Sequence, residues 1–211
     1  IKSIRISTDG FCFCEYIPSQ IESLKYFSYT PDNTTSMAVN LSNAISACPF
    51  INKGEICNIK AIVETPDFTA IPAEFDEPKD YKVYYRYCFP KSDSGSEIIS
   101  NRLNASGFTI IFPIEKSIYN ILRELGDTTF YTPASIMLGY MTQKPLNEAR
   151  YMLAYIQGDR MMIFSAEERK SCFVNVFKSK NQQDLVFYLL STWKEQRLSQ
   201  SNDVLYLCGD K

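Results

Sequence analysis

Asp9-Gly10, Gly158-Asp159 and Gly209-Asp210 each set an aspartate beside a glycine in this 211-residue chain. Glycine accepts positive φ without steric cost, so each pair suits a sharp change of chain direction. Between alternating apolar residues the same pair is first of all a tight hairpin turn. Were Asp9, Asp159 and Asp210 to converge in a cleft between domains, they would bind a divalent ion or raise one another's pKa.

Other chemistry is narrowed by what the chain lacks. It has no histidine, which removes Ser-His-Asp and Cys-His nucleophiles, a histidine zinc site and a histidine general base. Carboxylates, Lys, Tyr and Cys remain to titrate. The seven cysteines, Cys12, Cys14, Cys48, Cys57, Cys88, Cys172 and Cys208, are an odd number scattered through predicted strands and helices. They read as free thiols packed as small core residues in a reducing compartment. Cys12-Phe13-Cys14 puts two sulfurs on one face of a strand, but no second pair follows at ligand spacing, so no metal site is expected.

The elements that must position these turns form a repeat. Ile4 and Ile6 alternate with Ser3, Arg5 and Ser7, the period of a half-buried strand, and the chain turns at Asp9-Gly10 before returning through residues 11–16. Residues 149–164 repeat the pattern around Gly158-Asp159, and the two glycines stand 148 residues apart. The same offset lays residues 24–30 over 172–178 as third strands and 56–64 over 204–209 as fourth strands. It also lays 37–47 over 185–195 as helices, with Met37, Leu41 and Ile45 opposite Leu185, Leu189 and Trp193. Four elements in one ungapped register predict an α/β chain built of two βββαβ copies.

Between the copies, Asp76-Glu77-Pro78 opens a helix that places Tyr81, Tyr84, Tyr85 and Cys88 on one face before Pro90 stops it. A strand is the alternative, since residues 81, 83, 85, 87 and 89 also alternate. Strands at 97–103 and 108–113 flank a turn at 104–107. The next helix carries Ile118, Ile121, Leu122 and Leu125 on one side, with Glu115 in its first turn and Gly126 as its cap. A strand at 128–132 follows, and Pro133 opens a further helix. Lys144-Pro145-Leu146 is the predicted boundary between domains 1–146 and 147–211, the second expected to be incomplete at its C-terminal end.

This order resembles the actin-like ATPase fold of the ribonuclease H-like type, in which two subdomains flank a cleft. Residues 108–138 look like the strand-helix-strand-helix of the pilus-assembly relatives of actin. Residues 3–11, with Ala73-Glu74-Phe75, are similar to a bacterial family of unknown function, found mainly in Bacteroidetes and described as actin-like. The resemblance implies a site for ATP with Mg²⁺ at Asp9, Gly10, Gly158, Asp159, Gly209 and Asp210.

Each turn departs from the pattern that the resemblance implies. The family's first turn runs Asp, a spacer, Gly and a hydroxyl residue, whereas Asp9 is followed at once by Gly10 and then Phe11, whose ring is expected near the hairpin mouth. Gln157-Gly158-Asp159-Arg160 lacks the second Asp-x-Gly, and only Gly209 matches the paired glycines of the adenosine site. These losses predict a non-catalytic binding or scaffolding module with a protein partner and no cofactor. The alternative is an ATP-binding ATPase or phosphotransferase with atypical phosphate loops. A metal-dependent nuclease, with Asp9 and Glu64 as its acidic pair, ranks last for want of a basic path.

Composition fits that reading. Hydrophobic residues make up 45% of the chain and aromatics 14%, ample for packed cores. Lys plus Arg is 22 against 24 for Asp plus Glu, a net charge of −2, so nothing points to nucleic acid or an anionic membrane. No apolar run reaches the roughly 18 to 20 residues of a membrane helix, and no signal-peptide pattern opens the chain. A cytoplasmic location is expected.

Overall fold

Alternation in the opening residues becomes a ladder of side chains across a five-stranded sheet. In a computed structural model that describes residues 2–51, 57–91, 95–104, 107–143, 150–167, 170–179 and 181–209, β1 (Lys2–Ser7) pairs antiparallel with β2 (Gly10–Ile17), and β2 with β3 (Gln20–Tyr29). On its other side β1 runs parallel to β4 (Cys57–Val63), and β4 parallel to β8 (Gly126–Tyr131). Directly paired residues share a face. One row therefore reads Phe27, Phe13, Ile4, Ala61, Phe130 across all five strands.

That face is the core. Ile4, Phe11, Phe13, Ile59 and Ala61 are fully buried, as are Leu41 and Ala44 of α1 (Met37–Ala47). Each large side chain contributes about 1.5 to 3 kcal/mol on leaving water. The helix begins where Ser36 Oγ accepts from the Val39 N–H, a cap worth about 1 kcal/mol.

Between β4 and β8 the chain forms a three-stranded sheet of order β5, β7, β6, from β5 (Thr69–Pro72), β6 (Ser96–Leu103) and β7 (Phe108–Glu115). The expected helix at Tyr81 is present as α2 (Tyr81–Cys88), whose Tyr85 packs with Ile71 and Ile111. The competing strand fails because only the helical spacing brings Tyr81, Tyr84 and Tyr85 together against that sheet. Strand β5 and the 3₁₀ turns Ala73–Phe75 and Pro78–Asp80 were not anticipated, being too short to show a period. Helix α3 (Lys116–Glu124) follows. Gly126 does not cap it but opens β8 with φ of +141°.

The second copy has the same order: β9 (Arg150–Gln157), β10 (Arg160–Glu167), β11 (Lys170–Lys178), α5 (Gln182–Glu195) and β12 (Val204–Gly209), in a sheet of order β11, β10, β9, β12. Asn181 Oδ1 caps α5 by accepting from the Asp184 N–H at 2.9 Å. Met152, Ala154, Met161 and Ile163 form its core, under Leu185, Tyr188, Leu189 and Trp193.

The single offset of 148 does not run through the pairings: with Tyr29 laid on Phe177, its partner Phe11 falls on Met161, 150 residues on, and the loop-closing pair Ser7 and Gly10 falls on Gln157 and Arg160, also 150 on. Both hairpins therefore close on two-residue loops, and Gly158 answers to Thr8 and not to Gly10. The chain separates into two compact units, residues 1–102 with 108–135 and residues 103–107 with 136–211. Helix α4 (Pro133–Gln143) thus starts in the first and continues in the second. The expected boundary at residues 144–146 lies outside the described residues.

Candidate functional site

The first hairpin closes one residue earlier than its sequence suggests. Thr8 and Asp9 form the two-residue loop, and Gly10 is already the first residue of β2. Its φ is +152°, and a Cβ placed there would lie 2.7 Å from the carbonyl oxygen of Tyr29. Gly10 is therefore required by the close approach of β3, not by the turn. Phe11 likewise departs from expectation. Its ring is fully buried and lies 6.3 Å from that of Tyr29, in the row that contains Ile6, so it points into the core and not at the hairpin mouth.

The opposite face of this sheet carries the polar groups. Arg5, in the middle of β1, meets Glu64 just past the end of β4 through a two-pronged ion pair: Nη2 lies 2.9 Å from Oε2, and Nε contacts Oε1. The Glu64 side chain is 5% exposed, and its backbone N–H donates to Ile6 O at 2.9 Å. The same guanidinium stands 3.8 Å from Asp9, whose carboxylate is 69% exposed. Its Nη1 reaches Cys12 Sγ at 3.7 Å, and that sulfur lies 3.0 Å from the Tyr26 hydroxyl. Hydrogen bonding to Glu64 holds Arg5 protonated even more firmly than usual, against the opposing effect of burial. Cys12 and Cys14 share this face, as predicted, and burial pushes the Cys14 thiol up.

Gly158 and Asp159 form the second loop, as expected, with Gln157 paired to Arg160. Positive φ falls on Gly158 alone, at +54°, which is the type II′ pattern of glycine first. Asp159 is held by cations of its own sheet, Lys178 Nζ at 3.4 Å and Arg160 Nε at 3.8 Å, and its carbonyl accepts from the Ser179 N–H at 2.7 Å. Gly209 pairs with Ile156, and at φ of +110° a Cβ on it would run into the Ile156 carbonyl. Sheet packing alone accounts for this glycine. Asp210 lies outside the described residues.

Each tip aspartate is thus matched by basic side chains of its own unit. Two-residue loops present little backbone for a convergent ring of N–H donors. Among the described residues, no group of three or more Cys, Asp or Glu side chains is placed to hold a metal ion. A cavity of about 320 Å³ in the second unit, bounded by Ile136, Met137, Tyr140, Leu153 and residues 206–208, contains none of the six candidates. Sequence reasoning named Glu64 but missed Arg5. The signal was a lone cation between Ile4 and Ile6, and it gains meaning only once β1 is known to lie beside β4.

No described helix is long and apolar enough to cross a membrane. Comparison with solved structures finds a Bacteroides thetaiotaomicron protein of actin-like ATPase fold and unknown function, 27% identical, with a TM-score of 0.86 over 100% of this chain and 82% of that one. The PilM-PilN type IV pilus biogenesis complex is matched at 10% identity and a TM-score of 0.55, over 99% of this chain and 80% of the other. No curated protein matches. The chain has the actin-like ATPase fold, and by a match over residues 3–211 it belongs to the family described as protein of unknown function DUF3822.

Proposed function

We propose that this chain is a non-catalytic actin-like module that binds a protein partner in the bacterial cytoplasm, its two hairpins having given up the grip on phosphate. The observation that carries the reading is Arg5, fixed between Glu64 and Asp9. Its guanidinium supplies, from within the fold, the positive charge that a magnesium ion would bring to such carboxylates. A Mg-nucleotide does not suit these residues, since one carboxylate is buried in an ion pair and the loops offer few N–H donors. The same ion pair speaks against the nuclease reading, because Glu64 is not free to take a metal.

A partner role is supported by the PilM-PilN complex, where a protein of this fold is solved with another protein. Free thiols at Cys12, Cys14, Cys48, Cys88 and Cys208 support a reducing compartment. The test is titration of the purified protein with ATP and Mg²⁺, read by calorimetry and thermal shift. A true ligand at 100 times its Kd adds about 2.7 kcal/mol of stability; the expected gain at low millimolar ATP is none. Micromolar affinity that disappears in both Asp9→Ala and Asp159→Ala, with folding intact, overturns the proposal and restores the ATPase.

A further inference from the structure

Strand β5 and helix α2 of the first unit border a groove of about 260 Å³, lined by Thr69–Pro72, Phe75, Tyr84, Tyr87 and Cys88. Two of its rings stand out in water, Phe75 at 58% and Tyr87 at 89% exposure. Exposed rings around one groove mark a binding surface. Its walls limit what fits. β5 is four residues long and ends on Pro72, which has no N–H to offer a ladder, so an added strand finds little to pair with. A polyproline II segment needs no ladder. It presents apolar rings in a preformed conformation, so ordering it costs little entropy, and its carbonyls lack internal partners, which tyrosine hydroxyls can supply. Tyr84 and Tyr87 stand three residues apart, on one side of α2.

Charge narrows the choice further. Asp67 and Glu74 are exposed on either side of β5 in sequence. Neighbouring cations are turned to other carboxylates: Lys79 to Glu77, Lys82 to Glu97 and Arg102 to Asp76. Lys82 and Arg86 each lie two residues from Tyr84, about 200° round the helix, and so on its other side. We propose that this groove binds a proline-rich segment of the protein partner, with arginine or lysine beside the prolines to meet Asp67 and Glu74. This deepens the proposed function and rests on it in one respect, that the ligand is a protein.

Fluorescence anisotropy of a labelled decaproline peptide ending in arginine, titrated with the intact chain, tests it. Binding is expected, and the same peptide ending in glutamate should bind several-fold more weakly. Tyr87→Ala removes a ring that the core does not use, and should weaken binding about tenfold or more. Asp67→Asn with Glu74→Gln should narrow the preference for arginine over glutamate. Phe187→Ala, at an exposed ring of α5, should change nothing. On the unaltered protein, the arginine peptide should slow iodoacetamide alkylation of Cys88 and leave that of Cys208 as it was. No binding by the arginine peptide, binding indifferent to Tyr87→Ala, an unchanged preference in the double variant, an unprotected Cys88 or binding lost in Phe187→Ala overturns the proposal. The ATP titration is read separately: a groove that fails leaves its result standing, and micromolar ATP affinity strikes the non-catalytic reading even where the peptide binds.

Discussion

Arg5 and Glu64, 59 residues apart in sequence, are joined by a two-pronged ion pair that ties the first strand to the end of the fourth. Glu64 is almost wholly withdrawn from water, and Arg5 balances its charge with two contacts. Removing the arginine alone takes that balance from a buried carboxylate, and Arg5→Met is expected to cost about 3 kcal/mol in urea unfolding. The double variant Arg5→Met with Glu64→Leu should recover most of that loss. If the single and double variants unfold alike, the pair does not hold the strands.

Asp9, by contrast, meets the guanidinium at the surface. Asp9→Ala should cost under about 1 kcal/mol, as exposed ion pairs do. ATP binding should be as weak in the variant as in the parent, which calorimetry can compare directly.

Glycines that share a positive φ should differ sharply in their tolerance of alanine. Gly209→Ala drives a methyl group into the Ile156 backbone and should cost about 3 kcal/mol, the upper end of local backbone strain. Gly158 has open space around it, so Gly158→Ala should cost only the left-handed conformation, about 1 kcal/mol. Denaturant midpoints measured on both variants rank them. The reverse order would remove the packing explanation for Gly209.

Acid stability should carry the mark of Asp76. The Tyr81 hydroxyl, and then Arg102 with Nε at 2.6 Å, hold its carboxyl below the usual range. A depressed pKa contributes stability that is complete above the unfolded value near 4 and disappears as pH falls through the folded one. Asp76→Asn should therefore be less stable than the parent at pH 7, with the gap closing below about pH 4. A gap that is constant from pH 7 to pH 2 would show that charge at Asp76 has no part in it.

At high pH the burden moves to Tyr85, whose hydroxyl burial pushes up to about 12. Its contribution is complete below the unfolded value near 10 and is lost as pH rises toward the folded one. Tyr85→Phe should lessen the fall in stability between pH 9 and pH 11, measured by guanidinium unfolding.

Periodic segments were legible in the sequence. Helix α1 lies where the spacing of Met37, Leu41 and Ile45 put it, and α2 where Tyr81 to Cys88 did. Both depend on short-range side-chain spacing, which a sequence displays directly. The tandem order of strands was readable for the same reason. The hairpin at Thr8-Asp9 was placed one residue late because Asp-Gly is a strong turn signal, while the need for Gly10 comes from Tyr29, on another strand. The site was the least legible part. Arg5 and Glu64 meet only through a parallel pairing that no local pattern announces, and Asp159 is balanced by Lys178 from the neighbouring strand β11.

The parallel partnership of β1 with β4 also sets an order of events in folding. Each hairpin can zip from its own two-residue loop within microseconds, since its contacts are close in sequence. The opposite edge of β1 must wait for β4, with Lys2 finding Ile59 only after α1 has carried the chain over, and β9 waits in the same way for β12. Non-local parallel pairing is the slow step. During synthesis, then, each half of the protein passes through a stage in which a finished meander of three strands shows an unpaired inner edge. Protection of that edge rests on how quickly the crossover helix docks, so changes that weaken α1 or α5 should appear as lost yield before they appear as lost stability.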